Sequence, residues 1–511
     1  MQLDRNRTCE IPNRRRTLLG EPGYGMRTHM EYTELADYPL PAGRLTEWVP
    51  RVDDDRWALD HRGLSFTHQD HCERSAPGSW IGTVFEIHRR YDVEAVRATI
   101  VAYVARHEAF RTKVRRDAES GAWLRYTAPT DAVQVFERAH TEPRTETQVF
   151  SHLHSWFGET VSPTAWPHFI LATIEPDDAS RALSNGPGES FLLAFAADHS
   201  VMDAYSQIYA INEIDRLYAQ ALDGIDPELP EVGSYVDFSQ SERALGDTLT
   251  RDHSAVRTWQ DFLAVENGRF PGFPLPVAVD RPATTDGPAA QSSISSWLLT
   301  SEQSDAFNAA CRVGGYNMQA GILAALALTN TRLSGRTSLR TVMPMHTRDE
   351  QKWAASVGWY VGILPMEIQL DNACTFVEAL EAAATAGAAN KGLARMPYSK
   401  IAQILESTEI PRFVVSYIDL RFLPDAAQWQ GRKGRALRSN CHADDEVYFW
   451  VNRTLEGLNI SARFPSSDVA STNVHRFIAE FVAVLTAVID SDSATDTVLT
   501  SVSQSVAVAA E

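Results

Sequence analysis

The chain's strongest candidate for chemistry is His199, in the segment Asp198-His199-Ser200-Val201-Met202-Asp203-Ala204. It follows Phe191–Ala197, an unbroken apolar run, FLLAFAA. A run of that composition reads as a buried strand. A histidine leaving such a strand stands where a loop begins, and rigid scaffolds present catalytic groups on loops. A neutral imidazole, with an ordinary pKa of about 6.5, can take a proton from a hydroxyl or amine near neutrality. Asp203 lies four residues on, just ahead of a helical pattern formed by Tyr205, Ile208, Ile211, Ile214 and Tyr218. It could organise the loop, and its type and place also suit a helix N-cap.

Such an HxxxD pattern is common by chance, and most copies are a surface histidine near a capping aspartate. Here its surroundings make it specific. Upstream lie Leu64-Ser65-Phe66-Thr67-His68-Gln69 and Arg106-His107-Glu108-Ala109-Phe110-Arg111-Thr112. Downstream lie Tyr235-Val236-Asp237-Phe238, Asp280-Arg281-Pro282 and Ser356-Val357-Gly358-Trp359-Tyr360. In this order the segments resemble the condensation-domain superfamily, which includes chloramphenicol acetyltransferase and nonribosomal-peptide condensation domains. RHEAFRT resembles the family's RHExLRT, DHSVMDA its HHxxxDG, and SVGWY its DFGW-type motif. The resemblance covers roughly residues 43 to 490. Leu59–Ser65, Phe413–Asp419 and Val451–Thr454 look most like the polyketide-associated acyltransferases that esterify glycolipids.

The resemblance implies an α/β (α+β) fold with mixed sheets: two chloramphenicol-acetyltransferase-like subdomains in a V-shaped pseudo-dimer with a tunnel between them. It implies residues 43–235 and 236–490 as the subdomains; residues 1–42, polar, arginine-rich and without period, read as a flexible arm, and 491–511, mostly Ser, Thr, Asp, Val and Ala, as a tail. Met26 or Met30 is an alternative expected start. By the same resemblance His199 is the general base for attack of an acceptor hydroxyl on an acyl thioester. Asp203 turns away from the tunnel and pairs with Arg348 from the second half. Asp198, Ser356, Trp359, Asn452 and His68 are candidate site-lining residues, with Asn452 and Ser356 also candidate oxyanion donors. No metal or organic cofactor is expected. The substrates are acyl-coenzyme A or an acyl carrier protein's phosphopantetheine, and a sugar, glycolipid or polyketide-type alcohol. Three positions depart from the pattern: Asp198 replaces the first histidine, Ala204 the glycine and Ser356 the aspartate. Two alternatives stand beside this reading, a free-standing condensation enzyme forming amides and a non-catalytic recruitment protein.

Composition bounds the partners. The 511 residues carry a formal net charge of −19, which argues against nucleic acid and against strong attachment to anionic lipid. Contact with lipid products would be peripheral, and a monomer is expected. Five scattered cysteines without a CxxC pair fit a reducing cytoplasm rather than a disulfide framework or zinc cluster. The apolar stretch after Arg14-Arg15-Arg16 is too short for a signal-peptide core, and no 18-residue apolar run is visible.

The elements that must position His199 can be read in part. Asp92 should cap a helix with Val93, Val96, Ile100 and Val104 on one face. Residues 222–250 read as a long connection. Beyond it, helices are expected at Ser301–Val313 and Met318–Leu333, the second capped by Gly335. Strands are expected at Ser338–Met343, Arg412–Asp419, Glu446–Arg453 and Gly457–Phe464, and a closing helix around Val474–Leu485. His68-Gln69-Asp70-His71-Cys72 would bring its two rings together only on a helix, and it reads as strand or loop. Asp53-Asp54-Asp55 and Asp444-Asp445-Glu446 read as solvated, and Asn185-Gly186-Pro187-Gly188 as a loop without the lysine and helix of a phosphate cradle.

Overall fold

In the computed structural model, residues 32–74, 78–183, 189–279, 287–370 and 375–491 are described. The expectations at Asp280-Arg281-Pro282, at 185–188, at 492–511 and at residues 1–31 lie outside them.

Mixed α/β architecture is observed, built on two large sheets. The first has seven strands in the order Tyr32–Glu34, Arg435–Arg438, Ile81–Ile87, Phe191–Ala197, Phe169–Pro176, Gly43–Arg51, Gln134–Ala139. The strand ahead of His199 is therefore central, antiparallel to both neighbours, and all seven of its residues are buried. Helices Val93–Arg106 and Ala204–Asp223 pack against each other, the second also against the sheet. Asp92 caps the first through the Ala95 amide, and Val96, Ile100 and Val104 are buried as expected. Val93, in the first turn, is exposed.

The second sheet runs Gln291–Thr300, Gly457–Pro465, Val447–Arg453, Phe413–Asp419, Ser338–His346, Val361–Gln369. Its core takes in the helices Ser301–Val313, Met318–Ser334, Phe376–Asn390 and Asp468–Asp490. Gly335 caps its helix with φ 71°, a left-handed conformation that favours glycine. The last helix is long and apolar enough to cross a membrane by length and composition. Here Val474, Phe477, Phe481 and Leu485 form its core-facing stripe, while Arg476 is exposed and half-buried Glu480 pairs with Arg332.

The halves interlock. Arg435–Arg438 leaves the second half and joins the first sheet, antiparallel to Ile81–Ile87 and parallel to Tyr32–Glu34. Trp353, Val357 and Tyr360 are buried in the first half's core.

Three expectations are corrected. Residues 32–42 are not a loose arm: Tyr32–Glu34 is a strand, and Leu35, Tyr38 and Leu40 are buried. The connection at 222–250 contains a helix, Tyr235–Asp247, capped by Ser234, so the division at 235/236 falls on a helix end that packs against the first half. Asp445 and Glu446 are not simply solvated, because Arg412 pairs with Asp445 and Arg463 with Glu446.

Leu437 is fully buried in a cluster otherwise drawn from the first half. Leu437→Ala should cost about 2–5 kcal/mol, read as a lower urea midpoint. An unchanged midpoint would show that the inserted strand contributes little.

Candidate active site

The loop from Asp198 to Asp203 joins the central strand to helix Ala204–Asp223. Asp203 caps that helix by accepting from the Ser206 amide at 2.8 Å and its hydroxyl at 2.7 Å. The same carboxylate accepts from Arg348 at 2.7 and 3.0 Å and from the Tyr360 amide at 3.0 Å. The cap and the ion pair are thus one device. Asp203 is fully buried and the Arg348 side chain nearly so. Arg348 also donates to Ser206 Oγ and to the Ser356 carbonyl, and its guanidinium lies between the Tyr205 and Tyr360 rings. Burial alone would raise the Asp203 carboxyl, but Arg348 overrides it and holds the group below its ordinary value.

His199 is half-buried, and Trp359 from the second half lies on it at 4.0 Å between ring centroids. Burial lowers its basicity, with His71 adding to the effect. The imidazole is therefore held neutral near pH 7, the form that accepts a proton. Its Nδ1 is buried without a hydrogen-bond partner among the described residues.

Trp359 belongs to Ser356–Tyr360, which the clamp fixes in place. Gly358 is required there because a Cβ would lie 2.4 Å from the Tyr235 ring. Ser356 does not face the chemistry. Its hydroxyl bonds the Gly233 carbonyl at 2.8 Å and Tyr360 Oη at 2.7 Å, so it braces the segment and is not an oxyanion donor. Asn452 donates to Asn459 across the second sheet and is joined to His199 by no described contact. Ala204 opens its helix without a positive φ, so the missing glycine leaves no strain.

The other sequence segments brace the loop. His107 Nε2 donates to Glu213 of the capping helix at 3.1 Å, and its Nδ1 accepts from the Val357 amide at 3.4 Å. Arg106 donates to the same Glu213 at 2.6 Å. Arg62 gathers Asp60, Glu108 and Asp237, at 2.6, 2.8 and 2.7 Å. Three sequence segments, LDHRGLS, RHEAFRT and YVDF, therefore meet at one arginine.

The reading of residues 68–72 is corrected. Phe66–Arg74 is a helix, with His68 and His71 one turn apart. His71 Nε2 lies 3.0 Å from Asp198 Oδ1, and its ring is 5.3 Å from Trp359 and 6.3 Å from His199. His68 is buried, with neither ring nitrogen partnered among the described residues. From the sequence alone, His68 or His71 reads as lining the tunnel or packing, with a metal ligand the lesser alternative, and nothing there pairs His71 with Asp198. The signal available was the carboxylate at position 198, which a buried site must pair.

With this geometry in place, comparison with known proteins decides the family. The condensation-domain model matches residues 67–505. The chain belongs to the condensation-domain family. It is 25% identical over 484 residues to the acyltransferase PapA3 of Mycobacterium tuberculosis, covering 89% of this chain and 98% of that one. It is 23% identical over 436 residues to the trehalose-2-sulfate acyltransferase PapA2 of the same species, covering 84% and 88%. Among solved structures it is similar to a PapA2 acyl transferase, with TM-score 0.77 and 22% identity over 90% of this chain and all of that one. The first condensation domain of the CDA synthetase aligns with TM-score 0.60 and 13% identity over 84% of this chain and 96% of that one. The chain is an acyltransferase of this family.

Removing Asp203 strands a buried guanidinium, so Asp203→Ala should cost about 3–5 kcal/mol. His199→Ala should leave the melting temperature near that of the wild type, because His199 makes no comparable bond. Equal melting temperatures for the two variants would contradict this. The sign of the pH dependence follows as well. A carboxyl held below its unfolded value of about 3.9 contributes stability above that pH. The contribution is lost as pH falls through the lower folded value. Asp203→Asn should therefore flatten the acid side of the stability curve, measured by denaturation between pH 6 and 3.

Proposed function

We propose that this protein transfers an acyl group from an acyl thioester, on coenzyme A or a carrier protein, to a hydroxyl of a sugar or glycolipid acceptor. One observation carries the reading: a histidine kept neutral by burial, with an aromatic lid from the second half, on a loop pinned by a buried ion pair. His199 takes the hydroxyl proton as oxygen attacks the thioester carbonyl. The tetrahedral intermediate collapses with loss of the thiolate, which receives the proton from His199. The C–S bond breaks, a C–O bond forms and a free thiol leaves. No external oxidant or cofactor enters the balance. Asp203 and Arg348 take no part in proton transfer, since carboxylate and guanidinium are bonded to each other, to Ser206 and to the backbone of Ser356 and Tyr360.

The substrates would meet at His199 in a passage between the halves, since that residue and Trp359 come from opposite halves. Similarity to acyltransferases named for trehalose-2-sulfate supports a sugar acceptor over the amide-forming alternative. A soluble cytoplasmic location, acting on lipid products at most peripherally, completes the proposal.

The test is thiol release from a panel of acyl-coenzyme A and carrier-bound donors, with trehalose, trehalose sulfate and simple alcohols as acceptors. Acceptor-dependent release with ester product is expected, falling about 10²–10⁴-fold in His199→Ala. Turnover unchanged in that variant would remove His199 as the base. Amide product alone would favour the condensation reading, and binding without turnover on any donor the recruitment reading.

A further inference from the structure

The family's motif carries a histidine where this chain has Asp198, and Asp198 is fully buried. An unpaired carboxylate there would be costly. The partner comes from a different element: His71, on helix Phe66–Arg74, meets Asp198 Oδ1 at 3.0 Å. A carboxylate only accepts, so His71 Nε2 carries the proton of this bond. The same oxygen accepts the Ser200 amide at 2.8 Å. Asp198 therefore ties the residues on either side of His199 to that helix. His71 then reaches the catalytic ring through Trp359, standing edge-on to the indole at 5.3 Å and 78°, while the indole lies on His199 at 4.0 Å and 36°.

We propose that His71 and Asp198 are a positioning pair for His199, anchoring its loop and, with Trp359, fixing the orientation of the ring that takes the acceptor proton. The carboxylate of the first motif position is thus not a lost residue but half of a pair completed by helix Phe66–Arg74. This rests on the acyl-transfer reading for its rate effects, though not for its geometry.

The pair has an electrostatic signature that a purely structural bond would lack. Besides burial, the largest cause, three charged groups act on His199: His71 from helix Phe66–Arg74, Asp203 at the start of the helix it caps, and Asp198 beside it. His71 lowers the basicity of His199, while Asp198 and Asp203 raise it. Removing His71 should shift the His199 titration to higher pH. Removing the Asp198 charge should shift it to lower pH.

The experiment compares wild type with His71→Ala, His71→Gln, Asp198→Asn and the double variant His71→Ala/Asp198→Asn. Two readouts are taken: the pH profile of kcat and KM for thiol release, and the His199 titration by NMR of histidine-labelled protein, assigned with His199→Ala. Misplacement of the base should lower kcat by up to about 100-fold with little change in donor KM. His71→Gln, which keeps a donor, should recover much of the loss. The double variant should be no worse than the worse single one, as for residues acting as a unit. The NMR midpoints should move in opposite directions in His71→Ala and Asp198→Asn. Midpoints that do not move, or that move together, would overturn the proposal, as would additive losses in kcat. The NMR arm needs no turnover, so an inactive wild type would count against acyl transfer and leave the pairing still decided by the titrations.

Discussion

The structure depends on one buried carboxylate. Asp203 starts a helix, receives an arginine from the other half and accepts the amide of Tyr360. A charge this deep is tolerable only when paired and hydrogen-bonded, so the site requires both halves to be in place. That requirement explains the interlocking. The second half lends Arg435–Arg438 to the first sheet and sends Trp353, Val357 and Tyr360 into the first core. His199 then lies on a loop whose two ends are fixed, by a central strand before it and a clamped helix after it.

Around this clamp the chain groups charges into small knots: Arg62 with Asp60, Glu108 and Asp237, and Glu213 with Arg106 and His107. Each joins segments that are distant in sequence, and the second reaches the Ser356–Tyr360 segment through the bond from the Val357 amide to His107. In the second knot, burial raises the cost of the charged Glu213, and His107 and Arg106 more than offset it, holding that carboxyl below its ordinary value. His199 stands outside these knots. Burial there is not offset by a bonded carboxylate, and that imbalance is what suits it to accept a proton.

Much of this was legible because it is local. Seven apolar residues make a central strand wherever it sits, and the caps at Asp92, Asp203 and Gly335 are read from neighbours in sequence. The Asp203–Arg348 pair came from family resemblance, not from any local pattern. What escaped is non-local or poorly patterned. Phe66–Arg74 buries only Phe66 and His68, so it shows no helical stripe, and with it went the placing of His71. Tyr32–Glu34 is too short to announce a strand, and its partner lies at Ala436. Ser356 looked like a donor for the chemistry because a hydroxyl beside a motif does; only its bonds to Gly233 and Tyr360 reveal a brace.

The central claim is that the ion pair organises the site across the two halves without entering the chemistry. A double-mutant cycle between Asp203 and Arg348, using Asp203→Asn and Arg348→Gln, tests it most directly when stability and the pH dependence of single-turnover acyl transfer are read together. The account predicts strong coupling in stability and, in whatever fraction stays folded, an acid limb still set by one group, His199. Additive stability losses, or an acid limb that disappears with Asp203, would contradict it.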